Sequence, residues 1–279
     1  MIRPLGEPDR RQVMELLLPD STVNLFIIGD VENNGFATDF QQLWGDFDPR
    51  GSLRAILLRY FGSFVAYGRG DFDTDGLAEV FRSHRHLATA FSGLERVVSR
   101  FEDRPGLLPE TAHRRTLFFL ELRSGEKLAP LRRRPTLELV RAVPDDAPAI
   151  VELWKATGWG SEHGERALRH ELEQGGSRVY LFREGLRVLA TAKTTAENTR
   201  SPMVTGVTTH PDYRRRGMAT QLLIRLCEEL LHEGKVPCLL YDNPEQAPST
   251  AALGSPTAGP GSCTSSGPSS GPEHQSLSR

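Results

Sequence analysis

Val204-Thr205-Gly206-Val207-Thr208-Thr209-His210-Pro211-Asp212-Tyr213-Arg214-Arg215-Arg216-Gly217-Met218-Ala219-Thr220 is the stretch whose reading decides the fold. Residues 204–209 are mostly β-branched, which suits a half-buried strand. From Met218 the apolar residues Ala219, Leu222, Leu223, Leu226, Cys227, Leu230 and Leu231 recur on one helical face, and Gly234 supplies the stop. The order is therefore strand, basic turn, glycine, helix.

That order has a chemical use. The first N–H groups of a helix have no intrahelical acceptor and sit at the positive end of its dipole. Gly217 removes the side chain that would block an anion, the three arginines before it add full charges, and Ala219 keeps the first turn slim. A diphosphate is the natural guest.

The run Arg214-Arg215-Arg216-Gly217-Met218-Ala219 resembles the acetyl-CoA loop of the Gcn5-related N-acetyltransferases, the GNAT superfamily, which reads Gln or Arg, any, any, Gly, any, Gly or Ala. Val207, Thr209 and Pro211 stand where that family has its fourth strand and its exit. Asn243, after the next strand, stands where the family often has an asparagine. The resemblance implies an α/β (α+β) fold, a mixed and mostly antiparallel sheet flanked by helices. It implies acetyl-CoA as cosubstrate, bound through Val207, Thr208, Thr209, Arg214, Arg215, Arg216, Gly217, Met218, Ala219, Thr220 and Asn243, and no metal.

Working outward, 279 residues exceed one typical domain. The C-terminal half opens with Leu139-Val140-Arg141, then Pro144-Asp145-Asp146 and a stripe of Ala147, Ile150, Val151 and Trp154. The chain itself opens in the same way, with Ile2-Arg3-Pro4 and then Val13, Leu16 and Leu17 on one face. Two related halves are expected: residues 1–122 as a degenerate GNAT-like domain, 123–136 as a charged, Pro-bearing linker, and 137–245 as the acetyltransferase domain. In the first half, 24–36 reads as a polar-aromatic segment, 53–59 and 63–67 as a strand hairpin, and 116–122 as the closing strand. Gly68-Arg69-Gly70-Asp71 reads as a simple turn, since no Arg-x-x-Gly-x-Ala pattern opens the next helix. The first half is thus expected to have lost CoA binding. In the second half, 179–183 and 187–193 form a hairpin around Glu184-Gly185, and 236–241 is a further strand.

Composition narrows the partners. The 34 Lys and Arg against 36 Asp and Glu give a formal charge of −2, against the basic excess of a general nucleic-acid binder. No run reaches the roughly 18 apolar residues that span a bilayer, and Met1-Ile2-Arg3-Pro4 lacks a signal-peptide core. A cytoplasmic protein with no membrane partner is expected. Cys227, Cys238 and Cys263 have neither metal-ligand nor disulfide spacing; Cys227 and Cys238 read as core thiols.

In the family the segment between the first two helices lines the acceptor site. Here it is Gly158-Trp159-Gly160-Ser161-Glu162-His163-Gly164-Glu165, which makes Glu162, His163 and Glu165 candidate bases for an amine proton. The implied reaction moves an acetyl group to an amine, of a small molecule or a peptide, by direct attack. The acceptor and the oligomeric state are left open.

Residues 246–279 break the pattern. They hold 19 Gly, Ser or Pro among 34 and no aromatic residue, a composition that cannot bury enough surface to fold, so a disordered tail is expected. The family should here have a Tyr about seven residues after the Asn, then Gly-Phe; position 250 is Thr. A one-base shift near Glu245, in which each codon takes the last base of its predecessor and its own first two, restores the pattern. It permits Thr250→Tyr, keeps Gly254, permits Ser255→Phe, and ends in Gly261→Trp, Ser262→Val, Cys263→Met and Thr264→Tyr, a terminal strand. The tail reads as frame-shifted. The competing reading is a CoA-binding or partner-binding pseudoenzyme, given the missing tyrosine.

Overall fold

The computed structural model describes residues 1–102, 104, 107, 112–126, 128–132, 137–159, 164–175, 177–241, 255–256 and 261–266. They form two units, residues 1–119 with 261–266, and residues 120–241 with 255–256. The elements in chain order are β1 (Ile2–Pro4), α1 (Arg10–Leu17), α2 (Leu25–Asn34), β2 (Gln41–Phe47), β3 (Leu53–Tyr60), β4 (Ser63–Gly68), α3 (Thr74–Ser83), β5 (Ala90–Leu94), α4 (Glu95–Glu102) and β6 (Ala112–Glu121). They continue with β7 (Glu138–Arg141), α5 (Ala147–Ala156), α6 (Glu165–Gln174), β8 (Val179–Glu184), β9 (Arg187–Thr195), β10 (Met203–Thr209), α7 (Met218–His232), β11 (Cys238–Tyr241), β12 (Ser255–Pro256) and β13 (Gly261–Ser266).

The two units repeat one plan. Each begins with a strand and a Pro-bearing turn closed by an acid: the Gly6 N–H donates to Asp9 Oδ2 at 3.0 Å, and the Val143 N–H to Asp146 Oδ2 at 2.9 Å. Two helices follow, then three antiparallel strands, β2-β3-β4 in one unit and β8-β9-β10 in the other. A helix then crosses over to a parallel strand, β4 to β5 through α3 and β10 to β11 through α7. Parallel neighbours require such a crossover, because a hairpin reverses direction. The mixed sheet and flanking helices of the sequence reading are what the structure shows.

Burial explains the plan. Along β3, Ile56 and Leu58 face the cluster of Val13, Leu17, Ile27 and Ile28 from α1 and α2, while Ala55 and Leu57 face Leu77, Phe81, Val98 and Phe101 from α3 and α4. The strand period of two thus serves two helical layers. The second unit does the same: Tyr180, Phe182, Ala190 and Ala192 pack on α7, and Val179, Leu181 and Val188 pack on α5 and α6.

Residues 24–36 depart from expectation. Leu25–Asn34 is a helix, ended by Gly35 at φ 75°, with Leu25, Ile27, Ile28 and Val31 buried. Its apolar residues Leu25 to Ile28 run consecutively and its polar residues gather toward the end, so no clear 3.6-residue period marks it. Burial alone also lifts the Asp30 carboxyl on this helix to about 7. The folded protein therefore holds a proton that the unfolded chain, with a carboxyl near 3.9, has lost, so stability falls as pH rises from about 4 to about 7. Asp30→Asn is expected to stabilise the protein at pH 8 by on the order of 2 kcal/mol and to give no gain at pH 4. Urea unfolding at the two pH values checks this; an equal gain at both would contradict it.

In the second unit Arg178, largely buried, donates to Glu229 at 2.8 Å and to Glu233 at 2.6 Å and pairs with Glu197 at 2.6 Å. Its hydrogen bond holds the Glu233 carboxyl down at about 2. The network fixes the C-terminal end of α7 against β8. Cys227 and Cys238 are free buried thiols, pushed by burial up to about 12. Of the stretch 123–136, Leu128 is fully buried among α7 side chains, and the Gln221 side chain donates to Leu131 O at 3.0 Å, so the described part of that stretch packs on the second unit. β11 pairs with β10, and just before it the Leu122 N–H donates to Pro237 O at 3.0 Å.

Within 246–279, two short segments have extended backbone. β12 pairs with Glu121 and Leu120, and β13 runs antiparallel to both β5 and β6, with Thr264 opposite Phe91 and Arg114. The terminal strand of the shifted reading falls on β13. The other residues of that stretch lie outside the described residues. Among the described residues no helix is long and apolar enough to cross a membrane.

Candidate active site

The second unit's parallel pair comes apart early. β10 and β11 register only at Met203 with Cys238 and Val204 with Leu239. On its other side β10 stays paired with β9, but its register shifts between Thr205 and Thr208, a β-bulge. Gly206 sits in that bulge at φ 57°, and a Cβ there would come within 2.9 Å of Lys193 Cγ, so both backbone and space require glycine. The bulge is tied down from below: Trp154 Nε1 donates to Thr191 Oγ1 at 3.0 Å, and Thr191 Oγ1 donates to Gly206 O at 2.9 Å. Thr208 Oγ1 donates to Thr157 Oγ1 at 2.9 Å. The end of β10 is thus held as a fixed backbone surface.

The basic turn follows directly. His210–Tyr213 make a tight turn, Arg215 takes the left-handed conformation at φ 61°, and Gly217 takes it at φ 77° as the residue capping α7. Among the described residues a Cβ at Gly217 would meet no atom within 4 Å, and no side chain caps the helix. The N–H groups of Met218, Ala219 and Thr220 therefore face an open position with no acid in the first turn. Arg214 Nε donates to Thr209 O at 3.3 Å, joining turn to strand, and Arg216 lies over the Tyr213 ring at 4.8 Å while donating to Asp212 O at 3.0 Å. Arg214, Arg215 and Arg216 are exposed. These residues fit a diphosphate on both tests available to the geometry, an open space where a side chain would be and a cationic rim around it.

On the face of β9 that packs against α5 and α6 lies a polar group that the sequence reading missed. Lys193 Nζ, on a side chain only 8% exposed, pairs with Glu171 Oε2 at 2.7 Å, and Ser177 Oγ donates to the same oxygen at 3.1 Å. Lys193 stands 5.7 Å from the Trp154 ring centre, and Trp154 packs edge-on to Trp159 at 4.5 Å. Trp159 lies 3.6 Å from the Cβ position of Gly206. A lysine amid the small residues of β9 was the only sequence signal. Of the expected bases, Glu165 opens α6 as an exposed residue beside Arg169, while Glu162 and His163, like Asn243 of the cofactor set, lie outside the described residues.

Comparison with known proteins bears on this arrangement. Residues 141–241 match the model of the acetyltransferase (GNAT) domain. No curated protein matches the chain by sequence. Among solved structures, a tandem GNAT protein from the clavulanic acid biosynthesis pathway is similar with a TM-score of 0.60 at 16% identity, over 96% of this chain and 99% of its own. A GCN5-related N-acetyltransferase-like protein from Streptococcus suis gives 0.60 at 14% identity, over 93% and 99%. A Drosophila protein gives 0.64 at 13% identity, over 95% and 98%. At such identities these likenesses speak for the fold. Residues 141–241 thus match the acetyltransferase (GNAT) domain, and the chain is similar in fold over nearly its whole length to a tandem GNAT protein.

Proposed function

We propose that the second unit transfers an acetyl group from acetyl-CoA to the amine of a small molecule or peptide. The observation that carries the reading is the bulged end of β10 beside the uncapped start of α7. When bound, acetyl-CoA supplies the activated acyl carbon. Arg214, Arg215 and Arg216 and the N–H groups from Gly217 to Thr220 hold the diphosphate. The backbones of Val207, Thr208 and Thr209 orient the pantetheine amides, and a backbone N–H near Val207 polarises the carbonyl. Asn243 belongs to the same cofactor set.

Amine nitrogen attacks the acyl carbon, the carbon–sulfur bond breaks, and the thiolate leaves to be protonated. Glu171, beside the bulge and held by Lys193, takes the amine's proton. Glu162, His163 and Glu165 are the further candidates in the segment ahead of it. Glu171→Gln is expected to lower thiol release across a panel of amines about 100-fold and to leave the calorimetric affinity for acetyl-CoA unchanged. An unchanged rate would remove Glu171 from the mechanism.

A second reading rests on Thr250, which stands where the family has its tyrosine. In it the chain binds CoA or a partner and does not turn over. Acetyl-CoA binding without thiol release, both in this chain and in a version with the shifted frame restored from residue 246, would select it.

A further inference from the structure

We propose that Lys193 is itself an acetyl acceptor, so that the second unit marks its own chain when acetyl-CoA is bound and no external amine is present; this rests on the acetyltransferase reading above. Only four of the 34 Lys and Arg residues are lysines, namely Lys127, Lys155, Lys193 and Lys235. Lys155 is exposed, and Lys235 pairs with Glu197 and Glu233, each at 3.2 Å. Lys193 is carried by β9 into the region proposed for acyl transfer.

Its side chain crosses the bulge of β10, with Cγ 2.9 Å and Cδ 3.4 Å from where a Cβ on Gly206 would stand. The next residue is Val207, near which a backbone N–H is read as polarising the acetyl carbonyl. Nζ ends 2.7 Å from Glu171 Oε2, and that oxygen also accepts from Ser177 Oγ at 3.1 Å. The side chain is only 8% exposed, and Nζ lies 5.7 Å from the Trp154 ring centre. An amine, a proton acceptor and the proposed carbonyl position thus meet where little water reaches. An arginine would make the same ion pair, but a guanidinium keeps its proton, whereas a lysine amine beside a base can give one up and become a nucleophile.

One ammonium proton passes from Nζ to Glu171 Oε2, and the freed nitrogen bonds to the acetyl carbon. The carbon–sulfur bond breaks with its electron pair leaving on sulfur, and the sulfur takes up the second proton that the nitrogen sheds. The products are an Nζ-acetyl lysine and the coenzyme A thiol, with no oxidant, reductant or further reactant. The new amide carries no charge, so Glu171 loses the cation that holds it. Turnover of external amines is therefore expected to fall as the mark accumulates.

The test incubates the full chain for hours with isotope-labelled acetyl-CoA and no amine, and reads each lysine by peptide mass spectrometry. A covalent mark records a single event, so it is legible even where the missing tyrosine slows repeated turnover by about 10²–10⁴-fold. Label is expected to approach one acetyl per chain and to reach Lys193 at least about tenfold faster than exposed Lys155, the reverse of their order of exposure. In urea the two should react alike. Glu171→Gln should slow labelling of Lys193 about 100-fold, and Lys193→Arg, which keeps the positive charge, should abolish the mark and leave Lys155 at its slow rate. No label at Lys193, label that follows exposure, or a rate indifferent to Glu171→Gln overturns the proposal. If thiol is then still released to an added amine, the acetyltransferase reading stands and self-marking alone falls. If acetyl-CoA neither binds in calorimetric titration nor loses its acetyl group, both fall.

Discussion

Gly217→Val is expected to weaken acetyl-CoA binding by at least about 100-fold, roughly 2.7 kcal/mol. Two effects combine at one position. The residue sits at φ 77°, where a β-branched side chain is strained, at a cost on the order of 1–3 kcal/mol. Its Cβ would also project into the open space before the first N–H groups of α7, where the diphosphate is proposed to lie. A matched control separates the two. Gly234 follows the other end of the same helix at φ 74°, and a Cβ there likewise meets nothing within reach. Gly234→Val should therefore lose comparable stability and keep its acetyl-CoA affinity. Calorimetric titration and thermal unfolding of the pair decide the matter: equal affinity loss in both would make the effect one of stability alone.

The second large effect concerns the tail. Replacing residues 246–264 by the shifted reading, with Thr250→Tyr, Ser255→Phe, Gly261→Trp, Ser262→Val, Cys263→Met and Thr264→Tyr among the changes, is expected to raise kcat by about 10²–10⁴ through general-acid help to the thiolate. It should also raise Tm by on the order of 5–10 °C, because the new terminal strand falls on β13, whose backbone already pairs with β5 and β6. Phe91 on β5 is 1% exposed, so this part of the sheet is built for apolar neighbours. Thr250→Tyr alone should recover part of the rate and none of the Tm. A restored chain that is less stable than the present one would sink the frame-shift reading, as would a gene sequence whose codons forbid it.

What the sequence disclosed followed from periodicity. α7 and its glycine were legible because a 3.6-residue stripe, a basic turn and a β-branched run are local patterns read within some 30 residues. The repeated openings were legible for the same reason. α2 was not, since its apolar residues crowd its first turn and its polar residues Asp30, Glu32, Asn33 and Asn34 gather toward its end, and β2, with Gly45 between Trp44 and Asp46, lacks clean alternation. Gly206 marks the bulge, but 204–209 was read from the sequence as an uninterrupted strand, because the β-branched residues around the glycine set the pattern. The Glu171–Lys193 pair was not visible: its members are 22 residues apart on a helix and a strand, and only the packing of α6 on β9 joins them.

The two crossover helices meet the same requirement in opposite ways. At α3 the chain supplies its own anion, the Asp73 carboxylate on the Gly76 N–H. At α7 it supplies none, and leaves a glycine in place of a cap. Omitting the carboxylate forgoes a few tenths of a kcal/mol, and up to about 1 kcal/mol with the dipole term. That deficit is small for a folded unit. It does mean that the first copy of the fold is complete in itself, whereas the start of α7 reaches full stability only with a borrowed negative charge.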